Sequence, residues 1–140
     1  MDTPKPVISH IITWETTVES WQLDFYQHVN NAVYLNYLES ARVWFLTDSG
    51  IDFQSFLNQP AMPVVASVRM DFKKPAYMGD RLRVRTWISH KKRVSVTFSY
   101  EILNQAGELI HEADTVLVFV DPASKRAAPI PPDYQKLIKE

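Results

Sequence analysis

The sequence predicts an α+β fold, an antiparallel sheet of about five strands wrapped around one long helix. Three observations carry that expectation. The stretch from Asn31 to Ser49 spaces its apolar residues as a helix does, four later stretches space theirs as strands do, and the links between those four are too short to cross a sheet.

Taken in order, the chain opens on a strand expected from about Val7 to Thr16, resuming as far as Trp21. In the helix, Tyr34, Leu38, Ala41 and Phe45 form one stripe and Tyr37, Ala41 and Trp44 an adjacent one, so these aromatics are expected in the core. Asn30 or Asn31 can cap its start, Gly50 can end it in the left-handed conformation, and Glu39 can pair with Arg42 one turn on. Beyond Pro60 the period becomes two. Val64, Ala66, Val68, Met70 and Phe72 share one face of a half-buried strand, and the pattern repeats at Leu82 to Ile88, at Val94 to Ile102 and from Leu109 to Val120. The links Tyr77 to Asp80, His90 to Lys92 and Asn104 to Gly107 suit hairpins. After Asp121 the chain is Pro-rich, with a short polar helix expected from Asp133 to Glu140.

With 140 residues, 46% of them apolar and 22% charged, residues 1–140 read as a single globular domain. Several strands carry apolar side chains on both faces (Val65, Trp87, Leu103, Val116, Val118), so a second face is expected to meet another subunit. A net charge of -1 gives no general attraction to nucleic acid or to an anionic membrane. Locally the balance differs, because Lys73 to Arg93 holds a dense basic run with Asp80 as its one acid. Cysteine is absent, which excludes a thiol nucleophile and thiolate metal sites, and the N-terminus has no basic start followed by an apolar run; a cytoplasmic protein is expected. Gly50, Gly79 and Gly107 are the only glycines, too far apart for a dinucleotide fingerprint, a P-loop or a nucleophile elbow. His10, His28, His90 and His111 are scattered without ligand spacing, so no metal is expected.

One constellation carries chemistry. The run Asp24-Phe25-Tyr26-Gln27-His28-Val29-Asn30-Asn31, with Tyr34, Glu39 and Arg42 beyond it, resembles the signature of hotdog-fold thioesterases of the 4-hydroxybenzoyl-CoA thioesterase type, which include bacterial acyl-CoA and plant acyl-ACP enzymes. The element order is similar along nearly the whole chain. The resemblance implies a hotdog fold and cofactor-free hydrolysis of an acyl-CoA or acyl-ACP thioester. It also implies a homodimer or homotetramer with active sites at subunit interfaces.

By position, the resemblance makes Asp24 the catalytic carboxylate, acting as nucleophile through an anhydride or as general base on water. It makes Asn31 the residue whose backbone N–H receives the thioester oxygen. The start of a helix suits that task, because its amides are unpaired and it carries roughly half a positive charge. His28 and Asn30 would orient water, hold Asp24 or bind the carbonyl, and Tyr34 would line the acyl pocket. The chain departs from its plant relatives at Tyr26, where they carry asparagine, and from many bacterial ones near Gln27, where they carry glycine.

Lys91, Lys92 and Arg93 sit at a hairpin tip where their charge can meet the phosphates of coenzyme A. Arg81, Arg83 and Arg85 alternate with apolar residues and read as a solvated strand face. Two other readings stand beside hydrolysis. A hotdog hydratase or dehydratase places four residues between its Asp and His, whereas three separate Asp24 from His28 here. A binding module for acyl-CoA without turnover would keep the same fold.

Overall fold

A computed structural model describes residues 5–51, 54 and 59–139. The period-two stretches form strands β2 (Met62–Phe72), β3 (Arg81–Lys91), β4 (Ser95–Leu103) and β5 (Leu109–Val120), and the opening stretch forms β1 (Ile12–Thr17). All pairings are antiparallel, and the sheet order is β1-β3-β4-β5-β2. Helix α1 (Asn31–Asp48) buries Val33, Tyr34, Tyr37, Leu38, Ala41 and Phe45 against the sheet. Opposite them lie rows of inward side chains set by the register, one of them Trp14, Val84, Ile102, His111 and Phe72. This is the sheet wrapped around one helix that the periods predict, and the hotdog arrangement that the resemblance implies.

Several elements differ from their expected form, each for a local reason. Strand β1 starts late because the Ser9 hydroxyl, not a backbone carbonyl, accepts the Ile88 amide at 2.8 Å, which interrupts the ladder. It does not resume through Trp21, since Ser20–Gln22 form a 3₁₀ turn capped by the Gln22 side chain on the Glu19 amide. In β2 the register shifts between Val65 and Ser67, so that Val65 opposes buried Leu117 while Val64 opposes Val118 on the other face. The bulge therefore moves Val64 off the face it was expected to share with Val68.

Strand β2 is also more open than expected. Helix α1 lies over β1 and β3, and β2 occupies the far edge, leaving Val64, Val65, Val68 and Phe72 exposed. Trp44 is 47% exposed rather than core, because the stripe from Val33 to Phe45 already fills the arc that faces the sheet. Arg42 turns from Glu39 to the Tyr100 hydroxyl at 3.3 Å, itself bonded to Thr115.

Ser49 caps the helix C-terminus and Gly50 follows at φ +87°, as its position suggests. The tail forms only the short helix α2 (Pro132–Gln135), which packs buried Tyr134 on Phe119; Glu140 lies outside the described residues. No helix among the described residues is long and apolar enough to cross a membrane.

The core contains one titratable side chain with a large consequence. His111 is fully buried, and burial pushes its imidazole down to about 4, against a smaller opposing pull from Asp71. Tyr34 from α1 and Asp71 from β2 are the titratable groups set against it. The unfolded chain protonates this histidine near its ordinary value of about 6.5, while the folded chain resists until about 4. Stability that is complete above pH 6.5 is therefore lost as pH falls toward 4, by about 3 kcal/mol from this group. Urea midpoints of wild type and His111→Gln, measured from pH 7 to 4, are expected to show a steeper decline in wild type. Parallel curves would mean that the imidazole titrates alike in both states.

Candidate active site

The chain enters α1 through a tight loop closed by two backbone bonds of Asp24. The Asp24 amide donates to the His28 carbonyl at 2.7 Å, and the Gln27 amide donates to the Asp24 carbonyl at 3.0 Å. The Asp24 carboxylate completes the loop: its Oδ1 accepts the Tyr26 amide at 2.9 Å and the His28 amide at 3.2 Å. Closing so short a loop forces Gln27 to φ +65°, the left-handed region in which glycine is easiest. That is the physical content of the departure at Gln27. Asp24 is thus fixed through one oxygen, and the structure assigns the other, Oδ2, no hydrogen bond among the described residues.

At the start of α1, Asn30 is the cap. Its side-chain oxygen accepts the Ala32 amide at 2.9 Å and its carbonyl accepts the Val33 amide at 2.9 Å. The Asn31 amide has no acceptor among the described residues, and Asn31 is exposed. The side chain of Asn30 is therefore committed to the helix, while the first amide of the helix is left open.

These pieces meet in one place. A cavity of about 240 Å³ is lined by Asp24, His28, Asn31 and Tyr34 on one side and by Phe72, Lys73 and Lys74 on the other. His28 stands edge-on to Tyr77, with ring centroids 5.2 Å apart. Burial raises the Tyr34 hydroxyl above its ordinary value, with a backbone hydrogen bond from Ala76 opposing the rise and the charges of Asp80 and Asp24 adding to it. Tyr34 accordingly stays neutral at physiological pH.

The structure brings together four of the sequence-predicted site residues, Asp24, His28, Asn31 and Tyr34. Asn30 stands beside them without lining the cavity. Lys91, Lys92 and Arg93 lie elsewhere: the strand from Arg81 to Lys91 runs away from the loop that meets His28 and Val29, so this hairpin is roughly 30 Å off within one protomer. Lys73 and Lys74 also line the cavity; in the sequence they are marked only as the start of the basic run. Lys74 pairs with Glu108, whereas Lys73 forms no ion pair among the described residues.

Residues 18–138 match the model of the thioesterase-like superfamily. The chain belongs to that superfamily. Among its relatives in this group of hydrolases, the long-chain acyl-CoA thioesterase FadM of Escherichia coli is 27% identical over 124 residues, covering 88% of this chain and 93% of that protein. A chloroplastic acyl-acyl carrier protein thioesterase of Arabidopsis thaliana is 31% identical over 108 residues, 76% of this chain and 57% of that protein. The crystal structure of a 1,4-dihydroxy-2-naphthoyl-CoA thioesterase from Synechocystis superposes with a TM-score of 0.85 at 24% identity, covering 92% of this chain and 96% of that one. The superfamily's hotdog fold accounts for the strand order and the central helix.

Proposed function

We propose that the protein hydrolyses acyl-CoA or acyl-ACP thioesters, with Asp24 as the reacting carboxylate and the Asn31 amide as the oxyanion donor. The observation that carries this reading is the juxtaposition of a carboxylate held through one oxygen with an unpaired helix-start amide on one cavity. The names of the two relatives support the substrate class.

As general base, Asp24 takes a proton from water, whose oxygen adds to the thioester carbon; the oxyanion points at the Asn31 amide, the C–S bond breaks, and the thiolate recovers the proton. As nucleophile, the carboxylate displaces the thiolate to form an anhydride that water then opens. Both routes end in a free acid and a thiol. His28, on the cavity wall, is placed to orient the water or protonate the thiolate. Lys73 supplies positive charge for the phosphate that both carriers possess, and Lys91, Lys92 and Arg93 serve the same purpose only in a neighbouring protomer's site.

Thiol release from a panel of short, long, branched and aromatic acyl-CoAs tests the reading. Turnover on part of the panel is expected. Loss of crotonyl-CoA absorbance without thiol release would assign a hydratase instead, and tight calorimetric binding with neither reaction would assign a binding module.

The protein acts in the cytoplasm as a single domain that assembles with copies of itself. Support comes from β2, an eleven-residue edge strand whose valines are exposed on both faces, a surface that an antiparallel β2 of a second copy would pair and cover. Val64→Lys with Val68→Lys is expected to convert a dimer or tetramer to monomer in sedimentation, because it sets charges on both faces of that edge. An unchanged mass would place the interface elsewhere.

A further inference from the structure

Behind the cavity wall lies a polar group that the mechanism above does not use. His111 is fully buried, and neither ring nitrogen has a hydrogen-bond partner among the described residues. Its imidazole stacks on Tyr34, with centroids 4.6 Å apart and planes 13° from parallel, and meets Phe72 edge-on at 4.8 Å. Both of those rings line the cavity that holds Asp24. Tyr34 is anchored in α1 and buried, whereas Phe72 ends the open edge strand, is 47% exposed and meets Tyr34 edge-on at 5.2 Å, so it is the one solvent-facing ring between His111 and the cavity.

A buried imidazole with two idle nitrogens is costly, and proteins rarely leave such a group unsatisfied without a use for it. Neutral imidazole offers one donor and one acceptor, which is the complement of a hydroxyl group. Its other neighbours in the register are apolar, Ile102 beside it and Ala113 two residues on, so the surroundings do not favour a charged ligand.

We infer that His111 is a specificity-determining residue of the acyl pocket, exposed when Phe72 moves and hydrogen-bonding a hydroxyl carried by the acyl group. This rests on the thioesterase reading for its substrate. Tyr34 follows Asn31 by one helical turn, about 5 Å along the axis, so the hydroxyl sits several bonds from the thioester carbonyl and not on the adjacent carbon. A site that hydrogen-bonds a hydroxyl discriminates strongly against the analogue without one, since the protein groups are then left unpaired.

The test uses matched pairs of acyl-CoAs, hydroxylated and plain, in one aliphatic and one aromatic series. Wild type is expected to favour the hydroxylated member of at least one pair by about tenfold or more in kcat/KM. His111→Phe, which keeps the stacking ring, is expected to bring that ratio close to one. A wild-type ratio near one in both series, or a His111→Phe ratio equal to that of wild type, overturns the inference while leaving hydrolysis intact.

Ketone analogues with a methylene between carbonyl and sulfur supply a readout independent of turnover and of the variant's folding. Their binding to wild type, followed by ¹⁵N shifts of the His111 ring, is expected to move those shifts with the hydroxylated analogue only. Equal shifts, or none, overturn the assignment. A hydroxyl-dependent shift in a protein that releases no thiol would uphold His111 and remove the hydrolase reading.

Discussion

Asp24→Asn is expected to lower kcat for thiol release on the order of a thousandfold, within the range for loss of a general base or nucleophile, without unfolding the loop. The carboxylate has one role in this structure and a separable one in the proposed mechanism. Its Oδ1 accepts the amides of Tyr26 and His28 and so holds the loop closed, a duty that an asparagine oxygen performs equally well. Its charge and basicity, which asparagine lacks, are what the proposed mechanism turns on the substrate. Asp24→Ala removes both, and is expected to cost about 1 kcal/mol of stability on top of the lost activity. Melting curves beside turnover numbers separate the roles. Wild-type kcat in a folded Asp24→Asn protein would exclude this carboxylate from the chemistry.

Asn31→Pro is expected to reduce kcat by about a hundredfold to a thousandfold, or roughly 3–4 kcal/mol of barrier, the usual effect of deleting one oxyanion donor. The substitution suits this position unusually well. Asn31 is the first residue of α1, where proline is welcome because the amide it lacks has no acceptor within the helix. The preceding residue, Asn30, is at φ -61° and ψ +139°, the extended conformation that a following proline demands. The Asn30 cap on Ala32 is untouched. Asn31→Ala retains the amide and is the control: it is expected to turn over at close to the wild-type rate. Full activity in Asn31→Pro would move the oxyanion site away from this amide.

Both substitutions act on features written locally in the chain. The loop from Asp24 to His28 closes on itself, Asn30 caps the helix that immediately follows, and Gln27 occupies the left-handed corner because the loop is so short. For such elements the interacting residues are two to four apart, so their spacing is visible in the sequence. The same holds for the long helix and for β3 to β5, where the apolar period states which face is buried.

The misses share a different cause. Trp44 has helical spacing as good as that of Tyr37, yet its exposure depends on how wide an arc the sheet covers. Strand β2 has the right period for a buried face, but its place at the edge, and the bulge that reverses Val64 and Val65, come from pairing with β5. The Ser9 hydroxyl that delays the start of β1 acts on Ile88, far along the chain.

By itself the sequence determined the element types, a sheet wrapped around one helix and the local constellation of Asp24, His28 and Asn31, because each rests on short-range spacing and chain order; the hotdog class followed from the resemblance that this constellation carries. Only the tertiary structure decided which distant residues join them. Antiparallel register sets Phe72 and His111 opposite one another behind Tyr34, and the direction of β3 carries Lys91 to Arg93 away while Lys73 and Lys74 stay at the cavity. Those neighbours are set by strand order and by one-residue shifts in pairing, each of which turns a side chain to the opposite face, and the period of a single strand records neither.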